Sequence, residues 1–218
     1  VGKSTIIRLL TRVLNTRDIK VHRFFLKAFH GLSYVLWVSA ARLLALPEGR
    51  APWYIIPKCG YIGLARVLVL VSAYLDAFVN IPTRILVLKL YRFAGFVMLC
   101  EEYLYTGLYD YLYAYTVLNI RLRTLTLLPL AVMHVLASAH KPDMAALLDT
   151  NDHELLRRWR MRGYGDPQLR YVKLQKAFLR KMPYGEVLYA NTTNRSINEV
   201  AKLILKAVVE KAYLKEKR

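Results

Sequence analysis

Apolar residues fall into a helical rhythm from the start of the chain. Ile6, Leu9, Leu10, Val13 and Leu14 share one stripe, which predicts an amphipathic helix. A polar turn at Asn15-Thr16-Arg17-Asp18 ends it, and the β-branched and aromatic run 19–27 (IKVHRFFLK) reads as a strand. Three more short apolar runs, 94–100 (AGFVMLC), 143–149 (DMAALLD) and 186–190 (EVLYA), have the density expected of buried parallel strands. Each is followed by polar or turn residues and then by a helical pattern. Asn151 with Glu154, and Ser196 with Glu199, carry the spacing of a capping box, an acceptor at the N-cap and a glutamate three residues on. Tyr171, Val172, Leu174, Phe178 and Leu179 mark a further helix over 169–181. Strand-helix alternation of this kind predicts an α/β fold around a parallel sheet. Residues 47–57, rich in proline, read as an irregular loop. With no long linker and no internal repeat, residues 1–218 are expected to form a single domain.

Composition narrows the class. The chain has 33 Lys and Arg against 15 Asp and Glu, a formal net charge of +18, which favours polyanionic partners such as nucleotides, nucleic acid or an anionic membrane surface. No block of five consecutive basic residues occurs, so the charge is spread over a folded surface. Hydrophobic residues make up 56% of the chain, which requires a test for membrane spans. The longest uncharged stretch, 124–140, contains Pro129 and two histidines; 64–80 is interrupted by Arg66 and Asp76, and 28–41 is shorter still. A spanning helix needs about 20 apolar residues. The sequence therefore predicts buried helices and no transmembrane span. Cys59 and Cys100 lie far apart in apolar surroundings and read as buried free thiols in a reducing cytoplasm.

The opening residues Val1-Gly2-Lys3-Ser4-Thr5 match the second half of the phosphate-binding signature G-x-x-x-x-G-K-[ST], followed directly by its helix. In that signature Gly2 lets the backbone approach phosphate oxygens and Lys3 reaches the β- and γ-phosphates. Ser4 places its hydroxyl on Mg²⁺, and the amides of the opening turn, Thr5 among them, supply further donors. The first loop glycine and the strand that precedes such a loop do not stand in the chain, so the expectation is a parallel sheet whose first strand is missing from it.

Three segments taken in order, VGKST with its helix, CEEYLYTGLYD after a strand, and PDMAALLD-x-x-x-x-ELLRRWRMRG, resemble the thymidylate kinases and their archaeal relatives. The resemblance implies a P-loop three-layer α/β/α fold with about five parallel strands. It also implies ATP and Mg²⁺ as cofactors, a nucleoside monophosphate, most simply dTMP, as acceptor, and a cytoplasmic enzyme. In this family an Asp-Arg-Tyr-like motif contacts the acceptor phosphate and the magnesium shell. Glu101, Glu102 and Tyr103 stand at those places and Asp110 matches a further acidic position. Glu101 keeps the anionic group, while Glu102 reverses the charge of the arginine. The family's lid closes arginines over the transferring phosphoryl group; Arg157, Arg158, Arg160 and Arg162 match it within a lid of about 157–168, with Arg158 and Arg162 the expected catalytic pair. A solvated basic helix face explains the same arginines. Asn194 and Arg195 lie in the loop that borders the adenine in the family. Family members are often homodimers, and the apolar helices between 62 and 120 are candidates for that interface.

His30 follows the end of a strand, where parallel sheets place their ligands, and is a candidate acceptor contact or a structural histidine. Together with His22, His134, His140 and His153 it shows no metal-ligand spacing. Two other function classes fit parts of the pattern. One is a non-catalytic nucleotide-binding protein with a degenerate monophosphate site, as Glu102 suggests. The other is a basic protein that binds nucleic acid or a membrane surface through its charge, although no nucleic-acid-binding motif is present.

Overall fold

The computed structural model describes residues 2–47, 51–161 and 168–216. These divide into two compact units. The first comprises Val1–Phe24, Tyr91–Glu101 and Lys141–Arg218, and the second Phe25–Leu90 and Glu102–His140. The chain thus enters the second unit twice.

The first unit is α/β. Its α1 (Lys3–Asn15) buries Ile6, Leu10 and Leu14 of the marked stripe, leaves Leu9 and Val13 half-buried and buries Ile7 as well; polar residues follow it. Strands β1 (Val21–Phe24) and β2 (Val97–Cys100) pair in parallel, Val21 opposite Val97. Strands β3 (Met144–Asp149) and β4 (Glu186–Asn191) form a second parallel pair, Met144 opposite Glu186. All four expected strands are present, and among the described residues they form two two-stranded sheets. Ile6 and Leu10 of α1 join Ala190 of β4 and Val200, Ala201 and Ile204 of α10 (Ile197–Glu216) in one core, with Leu99, Ala146 and Leu148 packed against it. Two further helices follow β3: α8 (Asp152–Arg160) and α9 (Leu169–Arg180).

Both expected caps form, in different degrees. The Asn151 side chain accepts the Glu154 amide at 2.8 Å, but the Glu154 carboxylate turns to arginines instead of closing the box. Ser196 and Glu199 exchange both bonds, at 2.6 and 3.2 Å. An N-cap of this kind is worth ~1 kcal/mol.

The second unit is helical: α2 (Leu32–Leu43), α3 (Pro52–Lys58), α4 (Ile62–Leu75), a π turn (Asp76–Asn80), most of α5 (Ile81–Phe93), α6 (Leu104–Val117) and α7 (Thr124–Ala139). Trp37, Ile56, Val69, Tyr105, Tyr111 and Met133 are fully buried in it. Two expectations are corrected here, and a third is qualified. Part of the 47–57 loop is helix α3, because Pro52 sits at the first helical position, where its fixed φ helps and no amide is required. Cys59 is exposed and Cys100 only half-buried. Finally, α4, the π turn and α5 run together as one helix of 32 residues, Ile62–Phe93, which is long and apolar enough to cross a membrane by length and composition. Arg66 and Asp76 do not interrupt it. Arg66 Nε bonds Leu118 O at 2.8 Å, and Asp76 is enclosed by protein donors.

Candidate functional site

Gly2 is the N-cap of α1; its φ of 98° suits a residue without a side chain, and the Ile6 amide bonds back to the Gly2 carbonyl at 3.0 Å. Lys3 is half-buried and Ser4 exposed in the first turn. Residue Glu101 follows β2 directly, and its amide bonds Phe24 O at 3.1 Å, so the sheet ladder fixes where it stands. The Ser4 hydroxyl donates to Glu101 Oε1 at 2.5 Å across 97 residues of sequence. The two residues expected to serve magnesium are therefore in contact. A hydroxyl and a carboxylate are hard oxygen donors, and Mg²⁺ in nucleotide sites takes one or two such protein ligands, completing its octahedron with phosphate oxygens and water. No cluster of three or more His, Cys, Asp or Glu that could cage a metal occurs among the described residues.

At the end of β3, Asp149 accepts the Thr150 amide at 2.8 Å and Lys176 Nζ at 2.7 Å, and is ion-paired with Arg180. Burial pushes its carboxyl up, but the bonds from Lys176 and Thr150 and the two positive charges outweigh that, and the net direction is below the usual carboxylate value. Lys176 also donates to Thr150 O at 2.7 Å. In the sequence Asp149 is only the last residue of a strand-like run, and Lys176 and Arg180 are two of several basic residues in the helix expected over 169–181. An acid closing a parallel strand is the signal that could have drawn attention to it.

The lid arginines are placed as follows. Arg158 donates to Glu154 Oε1 at 2.7 Å, to Thr192 Oγ1 at 3.1 Å and to Thr192 O at 2.6 Å. It fastens α8 to the loop after β4, and Thr192 in turn bonds Asp149 O through both its amide and its hydroxyl. Arg157 forks onto both Glu154 oxygens at 2.7 Å. Bonds from Arg157 and then Arg158 hold the Glu154 carboxyl at about 2. Arg160 is exposed, and Arg162 lies outside the described residues, as does the rest of 162–167 in the lid. Asn194 and Arg195 are exposed in the loop that opens α10. A shallow groove of about 210 Å³ follows the α1–α10 seam, lined by Leu9, Leu10 and Val13 on one side and Asn198, Ala201, Lys202 and Leu205 on the other, with no phosphate-loop residue in its lining.

The remaining candidates belong to the second unit. Glu102 pairs with Lys27 at 3.4 Å, so the acid that replaces the expected arginine has a cation of its own. Leu26 N also bonds Glu102 O at 3.0 Å, which ties this residue to the 25–31 segment. The Tyr103 hydroxyl donates to His140 O, and Asp110 is half-buried on α6. His30 Nδ1 bonds Ala28 O at 2.8 Å, and its ring stands edge-on to Phe25 at 5.4 Å. Arg84 lies over the Phe25 ring and donates to Phe25 O at 2.7 Å.

Compared with protein-family models, curated proteins and solved structures, the chain matches none.

Proposed function

We propose that the chain transfers the γ-phosphoryl group of ATP to a nucleoside monophosphate, most simply dTMP, on a P-loop three-layer fold with a sheet of about five strands. The observation that carries this reading is the Ser4–Glu101 contact. A phosphate-loop hydroxyl and a strand-end carboxylate meet at 2.5 Å, where a magnesium shell needs both. Lys3 neutralises the β- and γ-phosphates, Gly2 and Thr5 offer backbone amides, and Asn194 and Arg195 border the base of the donor. Chemistry of this kind needs no covalent intermediate, since positioning and charge stabilisation do the work. His30, Glu102, Tyr103 and Asp110 are the acceptor candidates, with Lys27 and Arg84 as nearby cations for its phosphate.

The experiment is transfer of labelled γ-phosphate from ATP to dTMP with Mg²⁺. Labelled dTDP is the expected product, and Lys3→Ala reduces its formation about a hundredfold or more. Equal rates in the two proteins refute the phosphate-loop assignment. The Lys27–Glu102 pair favours a second reading, nucleotide binding without transfer, because it places an acid where the family has an arginine. ATP binding with no labelled dTDP decides for that reading.

A further inference from the structure

The π turn holds two polar side chains one helical turn apart, and both reach into the segment that carries His30. Asp76, 1% exposed, accepts four hydrogen bonds: from Phe29 N at 3.0 Å, and from Ser33 Oγ, Asn80 Nδ2 and Tyr111 OH at 2.6 Å each. Burial first, and then the adjacent Asp76, push the Tyr111 phenol well above its ordinary value, so it stays a donor. Asn80 donates to His30 O at 2.9 Å and accepts Leu32 N at 3.3 Å. Three backbone groups of residues 29–32 are thus bonded by these two side chains.

This segment would not take its shape unaided. Phe29 has a φ of 56°, in the left-handed region that a bulky residue avoids. Gly31 has a φ of 65°, and a Cβ there would come within 2.9 Å of Asn80 Oδ1, so glycine is required on both counts. Strained residues persist only where their surroundings over-determine them, and they gather, like π turns, at functional sites. The shape has a chemical consequence. Ala28 O can only accept, so the bond at 2.8 Å puts the proton of neutral His30 on Nδ1 and leaves Nε2 as an acceptor.

We infer that Asp76 and Asn80 are positioning residues: they mould residues 28–32 so that His30 presents Nε2 as an acceptor in the Nδ1–H tautomer. The inference rests on reading His30 as an acceptor-side contact.

The test is the ¹⁵N chemical-shift pattern of the His30 ring at alkaline pH, in the 218-residue chain. Amide exchange of Phe29 and Leu32 is followed alongside. Wild type is expected to show the Nδ1–H pattern. Asn80→Ala is expected to return the ring to the Nε2–H form usual in water and to speed both amides about tenfold or more. Thr83→Ala, an exposed change on the same continuous helix, leaves both signals as they were. If Asn80→Ala unfolds the chain, the isosteric Asp76→Asn serves instead, with the same loss expected at Phe29. An unchanged tautomer pattern and unchanged protection in a folded Asn80 or Asp76 variant overturn the inference. Adding dTMP to wild type separates the two ideas. If dTMP leaves the His30 signals unmoved, the acceptor reading fails, while the tautomer pattern still decides the positioning role.

Discussion

Ser4 and Glu101 illustrate how much a single contact can carry. Neither residue type is rare, yet a phosphate-loop hydroxyl bonded to a strand-end carboxylate needs α1 and β2 to arrive together. Both residues were legible as candidates because the phosphate-loop motif names Ser4 and the family resemblance names Glu101. Arg158 was legible as a lid arginine, but what it binds was not. Its partners, Glu154 at four residues and Thr192 at 34, divide a local pairing visible in sequence from a tertiary one that is not. Glu154, holding Arg157 and Arg158, makes α8 acid-sensitive. Its folded value is depressed from 4.5 to about 2, so the stability it contributes is present above about pH 4.5 and lost as the pH falls towards about 2. Urea unfolding across that window is expected to show a slope that Glu154→Gln flattens. An identical slope in both proteins would mean that the arginines are held by something else.

At the level of elements, the strands were the most readable part, since short apolar runs before polar turns have few other uses in an α/β chain. Val97–Cys100 and Met144–Asp149 fall inside the runs 94–100 and 143–149, trimmed only at their ends. Helix α3 escaped notice because proline at 52 and 57 reads as a breaker, although Pro52 begins the helix and Pro57 lies in its last turn. The 32-residue helix escaped it for a different reason. Asp76 looks like an interruption in one dimension, but four donors from other parts of the second unit and its own helix satisfy it. Partners of that kind are invisible to any window along the chain. The Asp149–Lys176 pair was hidden likewise, its members separated by α8 and the lid segment.

For the whole molecule, the Ile62–Phe93 helix leaves a series of apolar side chains exposed. Val67, Val71, Phe78, Val79, Leu86 and Leu90 are each at least 40% exposed along it. Where such side chains join into one exposed patch, they mark an interaction site. In keeping with the homodimer proposed from the resemblance, sedimentation equilibrium is expected to give a dimer, and Val71→Asp with Leu86→Asp a folded monomer. A wild type that is monomeric at every concentration removes that interface. The net charge of +18 suits a polyanionic ligand without specifying one, so the account depends on the magnesium end of the candidate site. The most direct test is titration calorimetry of ATP, with and without Mg²⁺, into wild type and Glu101→Gln. Mg²⁺ is expected to tighten ATP binding in wild type, and Glu101→Gln to lose most of that gain while still binding metal-free ATP. Equal Mg²⁺ dependence in the two proteins, or no ATP binding in either, would contradict it.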